Sequence, residues 1–411
     1  MEVEVETHEM PDELKYPLAE VKKVVHKWLY LEDDIIIDIM LSAHIANSFD
    51  TDPLWMVFIA PPSSTKTELL RAFEGYKNAY FLSNLNPTTL VSGLPPRKGQ
   101  PDPSLLLKLD GKTLILKDFT TIISMRSENQ KEILAQLREI YDGRYDKAFG
   151  NGKEIKWRGK VGLLAACTPI YDQHYGVIGT LGDRFLLYRS NANNTKEMGY
   201  QAQRVVGKEE IMRQEIRIAF HTFLDQFNDL TDAHFEKDSA VNEMIVVLAC
   251  ACAICRCPVD RDYRDRSINY VPQAEGPARL TKQFMQLGMA LALVYGKSII
   301  DQDVYRILRD VGYNLIPAQR IKILRYLWKE KIVGYFSNWL RTKEIAVATH
   351  MPTNTAKLRL EDLMIVGVLS RQTTGENDTA AYEWQINENA TEIFDDSHFF
   401  DDNFSLTQKI Q

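Results

Sequence analysis

No stretch of this chain approaches the roughly 18 uninterrupted apolar residues that a membrane-spanning helix requires. The acidic start, Met1–Leu14, lacks the basic-then-apolar form of a secretory signal. Together these absences argue against membrane insertion and export, and the expected compartment is the cytosol. Cysteine is scarce, at five in 411 residues, and four of the five crowd into Cys250–Cys257. The Cys252–Cys255 spacing suits zinc or redox chemistry, but no second pair or histidine follows at finger-like distance. The cluster closes an apolar run, Val241–Ala249, so it reads as small hydrophobes on a buried helix, with Cys167 in a strand core. No internal repeat and no low-complexity linker divides the sequence. Lys and Arg are missing from both ends: residues 1–14 hold six acids and residues 376–402 hold nine, with no Lys or Arg in either. Between 316 and 371, by contrast, ten Lys/Arg face four acids. Acidic ends around a basic module suit a nucleic-acid binder, and they suit plain solvated tails equally.

A glycine-poor loop is the most informative feature present. Ala60, Pro61, Pro62, Ser63, Ser64, Thr65, Lys66 and Thr67 follow the apolar run Leu54–Ile59 and precede the helix-forming run Glu68–Phe73. Strand, eight-residue loop ending Lys-Thr, helix is the context of a nucleotide-phosphate loop. Backbone N–H groups there would cradle phosphates, Lys66 would add charge at the outer phosphates, and Thr67 would hold Mg²⁺. Both usual glycines are replaced, by Ala60 and Thr65, and a β-branched residue restricts the backbone at 65.

Three further strand-like runs follow, each beside one polar residue. Lys112–Lys117 leads to Asp118 and Phe119, Val161–Cys167 ends at Thr168 and Pro169, and Arg184 opens Phe185–Arg189. In P-loop enzymes an acid at such a strand end sits beside Mg²⁺.

In this order the pieces resemble the AAA+ ATPases, and among them the branch of the MCM-type helicases. Ala165-Ala-Cys-Thr168-Pro169 is similar to that family's sensor-1 motif, with Thr for Asn, and Arg184-Phe185 to its arginine-finger pair. Pro277-Ala-Arg279-Leu resembles its sensor-2 arginine. The loop Pro61-Pro-Ser-Ser-Thr-Lys-Thr-Glu68, with Lys117-Asp-Phe-Thr120, also resembles ATPases of phages and mobile elements. The resemblance covers residues 50–370. It implies ATP and Mg²⁺ as ligands, a homo-oligomeric ring, most often a hexamer, and Arg184 acting on a neighbour's nucleotide. The chain departs from the family at Lys117-Asp118-Phe119, where Asp-Glu is usual. One alignment makes Asp118 the metal acid with Phe119 in place of the base, and another makes Asp118 the base. Glu128, Glu132 and Glu139 follow on a helix-like segment and read as solvated charges or as substitutes for that base.

Two elements suggest DNA. Residues 143–160 carry six Lys/Arg against two acids around Gly150-Asn-Gly152, a hairpin-turn signal. The MCM branch places a channel hairpin here, so Lys153 is expected near the tip and Lys156 and Arg158 along it, facing a DNA backbone; the plain alternative is an exposed turn. Ile321–Trp328, Arg341–Ala348 and a helix after Pro352, with Thr353 as N-cap, precede runs Val366–Arg371 and Ala381–Ile386. That pattern resembles a winged helix-turn-helix, in which Asn354, Lys357 and Arg359 would face DNA. Winged helices also serve as protein-contact modules.

The expected architecture is therefore α/β: an N-terminal helical segment (1–48), an AAA+ core with a parallel sheet between helices (49–195), a helical lid (196–315), a winged helix (316–390) and a mobile acidic tail (391–411). Expected helices are Leu18–Tyr30, Ile35–Asn47, Gln201–Phe227, Ala240–Cys255 and Leu280–Tyr295. Three functions compete: a ring-forming ATPase moving on DNA, a nucleotide-gated assembly switch with little or no hydrolysis, and an ATP-driven protein remodeller.

Overall fold

The computed structural model describes residues 14–401 apart from 63–64, 97, 176–178, 180–183, 191–193, 229–238, 263, 334–338 and 375–380. The chain divides into two units. The first comprises Met1–His174, Leu181–Lys237 and Gln286–Ile300, and the second Tyr175–Thr180, Asp238–Met285 and Asp301–Gln411.

The first unit is a mixed α/β body around a five-stranded parallel sheet. Its strands are β1 (Trp55–Ile59), β2 (Ala79–Leu82), β3 (Lys112–Leu116), β6 (Val161–Cys167) and β7 (Phe185–Arg189), in the order β2-β3-β6-β1-β7. A two-stranded hairpin, β4 (Arg144–Ala148) with β5 (Glu154–Arg158), stands apart from that sheet. Central β1 and β6 are buried at every residue, as parallel strands covered on both faces must be. The edge strand β2 is half-buried and four residues long, too short to show a pattern in sequence.

Helices α1 (Leu18–Trp28), α2 (Ile35–Ala46), α3 (Lys66–Arg71), α4 (Ser127–Tyr141), α5 (Thr195–Val205) and α6 (Glu209–Leu224) belong to this unit. Nearly every residue of α2 is buried, matching its apolar composition on all sides. Asn47, at its end, donates to Ala43 O and Leu54 O and accepts from Leu54 N, which fixes the entry into β1. A Cβ at Gly162 would meet that Asn47 side chain at 2.3 Å, so any larger residue there would displace the side chain that fixes the entry into β1. The expected helix Gln201–Phe227 is two helices, α5 and α6, and both side with the sheet rather than with a separate lid.

The second unit holds α7 (Ser239–Cys255), the start of α8 (Ala278–Val294), α9 (Gln302–Leu315), α10 (Ala318–Val333), α11 (Thr342–Ala348), α12 (Thr353–Ile365) and α13 (Glu388–Asp396). Strands β8 (Leu340–Arg341), β9 (Leu369–Thr374) and β10 (Ala381–Ile386) form an antiparallel sheet in the order β8-β10-β9. Cys252 and Cys255 lie buried in α7 and burial pushes both thiols up, Cys255 to about 12. Thr353 is the first residue of α12 and not its cap; Pro352 holds that position without a side-chain hydrogen bond.

The acidic tail departs most from expectation. Residues 388–396 are helical, and Phe394 and Phe399 are fully buried. Phe394 stacks on Phe399, Trp328 meets Phe394 edge-on, and Arg309 donates to His398 O and Asp401 O. Two buried phenylalanines outweigh the charge that made the segment read as mobile, because acids on one face of a helix stay solvated while the other face is buried. Residues 402–411 lie outside the described residues.

Candidate functional site

Strand order decides what meets at the carboxyl end of the sheet. β6 and β7 flank β1 on either side, and β3 lies beyond β6, so the ends of β3, β6 and β1 are neighbours. Register confirms the alignment: Ile59 pairs with Cys167 and with Arg189, and Leu116 with Ala165. Hydrogen bonds continue past the strands, from Ala60 N to Cys167 O at 3.1 Å and from Phe119 N to Ala166 O at 2.7 Å. Crevices outside the strand ends at such a point of reversed connection are where open α/β sheets bind ligands.

Lys66 opens α3 and is buried, 6% exposed, with Nζ donating to Ala60 O at 3.0 Å and Pro61 O at 2.9 Å. Burial lowers its ammonium pKa, and the nearby Cys167 and Asp118 oppose that shift. Thr65 has φ −68° and ψ −9°, ordinary helical values, so its β-branch is accommodated without glycine. Ser63 and Ser64 of the expected loop lie outside the described residues.

Asp118 follows β3, half-exposed, and its Oδ1 accepts from Thr120 N at 2.9 Å. Thr120 then binds Thr168: Thr168 N donates to Thr120 Oγ1 at 3.1 Å, and the two hydroxyls are 3.4 Å apart. Phe119 is fully buried against Phe185, so the position after Asp118 serves the core. Glu128, Glu132 and Glu139 are exposed on α4, and Glu132 pairs with Lys147 at 3.4 Å. Thr67 and Asp118 offer a hydroxyl and a carboxylate, the hard oxygens Mg²⁺ takes when phosphates and water complete its shell. Among the described residues no group of three or more His, Cys, Asp or Glu could by itself hold a metal.

A cavity of about 270 Å³ adjoins the loop, lined by Trp28, Tyr30, Thr65, Glu68, Gln201 and Arg213 among others. Its walls mix aromatic and charged groups, and Arg213 binds Glu68 at 2.9 and 3.3 Å. Nothing in the local pattern around residues 28, 201 or 213 signals this cavity, because three distant segments build it.

The arginines divide between the two ends of the sheet. Arg184 precedes Phe185, which pairs with Trp55, so it stands at the end opposite the loop. Its side chain is 11% exposed, lies over the Tyr141 ring and grips Asp142 at 2.8–3.2 Å. Arg189 is at the loop end and makes a bidentate pair with Asp172, at 2.7 and 3.0 Å. The pattern that marks Asp118 and Thr168, a polar residue closing an apolar strand, also marks Arg189. Arg279 lies in the second unit, where it pairs with Glu275 at 3.5 Å.

The hairpin is present, with Gly152 at φ +83° in its turn, a backbone state that suits glycine. Its inner face, Tyr145, Ile155 and Trp157, is buried. Its basic residues are all engaged. Arg144 and Arg158 share Asp146, whose carboxyl they pull down to about 2. Lys147 meets Glu132, Lys156 meets Glu154 at 3.1 Å, and Lys160 donates to Phe49 O. Lys153, expected to be open at the tip, is 12% exposed and turned onto the preceding loop. Its ammonium binds Ser92 O at 2.7 Å, Leu94 O at 2.8 Å and the Asp102 carboxylate at 2.8 Å. The local excess of charge in sequence is thus met by acids and carbonyls, several of them from elsewhere in the chain.

On α12, Asn354 and Lys357 are exposed and three residues apart, hence on one face. Arg359 is on another face, bonded to Gln319 at 2.9 Å and to buried Asp362 at 2.6 Å. Asp362 also receives Arg261 at 2.8 Å, so Arg359 belongs to an internal ion cluster and does not join the other two.

No protein-family model matches the chain, and no curated protein matches it. The geometry itself defines a mixed α/β protein whose five-stranded parallel sheet, flanked by helices, is compatible with a P-loop-like core. Among its described residues no helix is long and apolar enough to cross a membrane.

Proposed function

We propose that the chain is a nucleotide-binding ATPase of AAA+ type, with ATP and Mg²⁺ held at the loop Ala60–Thr67. The observation that carries this reading is the strand order, which brings Lys66, Asp118 and Thr168 to adjacent strand ends. In this reading Lys66 leaves its own loop carbonyls for the outer phosphates, Thr67 and Asp118 hold Mg²⁺, and Thr168 senses the terminal phosphate through Thr120. The neighbouring cavity takes the base. Arg184, too far from its own loop, serves a neighbouring subunit in a ring. The helices α10–α12 with the β8-β10-β9 sheet support the winged-helix reading, with Asn354 and Lys357 toward DNA, and MCM-like movement on DNA is the proposed outcome of turnover.

A second reading, a nucleotide-gated assembly switch, is favoured by one observation: Phe119 is buried where a second acid is usual. ATP turnover by the purified chain, with and without single-stranded and duplex DNA and with Lys66→Ala as the blank, separates them. DNA-stimulated turnover supports the motor, and binding without turnover supports the switch. Absence of nucleotide binding would reject both.

A further inference from the structure

We infer that Arg189 is the cation this chain itself presents to the terminal phosphate of a nucleotide on its own loop, with Asp172 as its resting partner. The inference rests on the nucleotide reading above and adds a residue that the loop, acid and sensor motifs do not contain.

Topology carries it. Asp172 lies in the short 3-10 turn Pro169–Gln173 that follows β6, Arg189 closes β7, and β1 runs between those two strands. An ion pair joining Asp172 to Arg189 therefore reaches across the carboxyl end of β1, where Ala60 begins the loop. The pair is bidentate, with Nη1 at 3.0 Å and Nη2 at 2.7 Å from the two carboxylate oxygens, so the guanidinium is held at two points. The side chains of Arg189 and Asp172 are 16% and 31% exposed, so both partners lie within reach of solvent and of an incoming anion. Phosphate offers a guanidinium the same two-oxygen geometry as carboxylate. A triphosphate arriving over Ala60 meets the Asp172 charge as repulsion and the Arg189 charge as attraction. Arg189 moves from the first anion to the second, and the phosphate replaces the carboxylate. Arg184 cannot do this in the same chain, because the length of β1 separates it from the loop.

Equilibrium binding of ATP and ADP to the full chain tests the assignment, using wild type, Arg189→Ala, Arg189→Lys and Asp172→Asn. Arg189→Ala is expected to weaken ATP about tenfold or more while ADP stays within about twofold, since only ATP carries the terminal phosphate. Arg189→Lys should recover part of the loss, charge without the fork. Asp172→Asn should act in the opposite sense and tighten ATP relative to ADP. If Arg189→Ala does not fold, Asp172→Asn alone decides, through that ratio. Wild-type binding with an unchanged ATP/ADP ratio in the variants overturns the assignment and leaves the nucleotide reading intact. Equal loss of ATP and ADP marks a merely structural bridge and overturns it too. A wild type that binds neither nucleotide removes the reading beneath it.

Discussion

Lys66 and Arg184 stand at opposite ends of the parallel sheet. Lys66 lies beyond Ile59, the last residue of β1, whereas Arg184 precedes Phe185, the partner of Trp55 at the first. Five residues of strand, about 17 Å, separate the two ends. Arg184→Ala should therefore leave nucleotide affinity of the isolated chain within about twofold and remove only assembly-dependent turnover. A tenfold loss of affinity in the monomer would contradict this. Losing the Asp142 pair should cost about 1 kcal/mol of stability, because Asp142 is half open to solvent.

Lys66→Ala should weaken ATP about a hundredfold or more, as truncating one member of a buried charge pair does. Unchanged affinity, measured by calorimetry, would take the loop out of the nucleotide site.

The tether at Lys153 predicts a structural rather than a simple electrostatic phenotype. Lys153→Ala releases Ser92 O, Leu94 O and Asp102, so amide hydrogen exchange across residues 91–104 should quicken about tenfold. Lys156→Ala, on the exposed face, should leave that segment unchanged. Equal exchange in both variants would show that Lys153 does not tether the loop.

Buried His44 predicts an acid limit. Its ring lies between Phe73 and Tyr76, Nδ1 has no hydrogen-bond partner, and burial, then the charge of His221, lowers its pKa to about 4. A folded value below the unfolded 6.5 means that the unfolded chain binds the proton first. Stability is fully present above pH 6.5 and is lost as pH falls toward 4, by about 3 kcal/mol. Urea denaturation from pH 7 to 4 should show that slope, and His44→Phe should flatten it. An unaltered slope in the variant would assign it to other groups.

Phe394→Ala should destabilise the second unit by about 3–5 kcal/mol, the range for a buried phenylalanine. A loss under 1 kcal/mol in thermal unfolding would mean that the 388–401 segment is not docked in solution.

Runs long enough to carry a period, or apolar enough to demand burial, were legible in the residues alone: β1, β3, β6, α2, α7 and the loop residues between strand and helix. Asp118 and Thr168 were legible for the same reason, as polar residues ending apolar strands. Arg189 obeyed that rule, but one strand has two ends, and only register says which arginine shares an end with the loop. The rest was settled by partners distant in sequence. Whether a lysine is open depends on the carbonyls and carboxylates that folding brings to it, as Asp102 comes to Lys153 and Asp362 to Arg359. Whether an acidic segment docks depends on a groove that its own residues do not encode. Sequence by itself determined the longer apolar strands, the loop and the residue types at their ends, because those follow from local pattern and burial, whereas short β2 and β8 carried no such pattern. Tertiary structure alone decided which charges are spent internally and which end of the sheet each arginine occupies, because strand order and ion pairing are long-range facts.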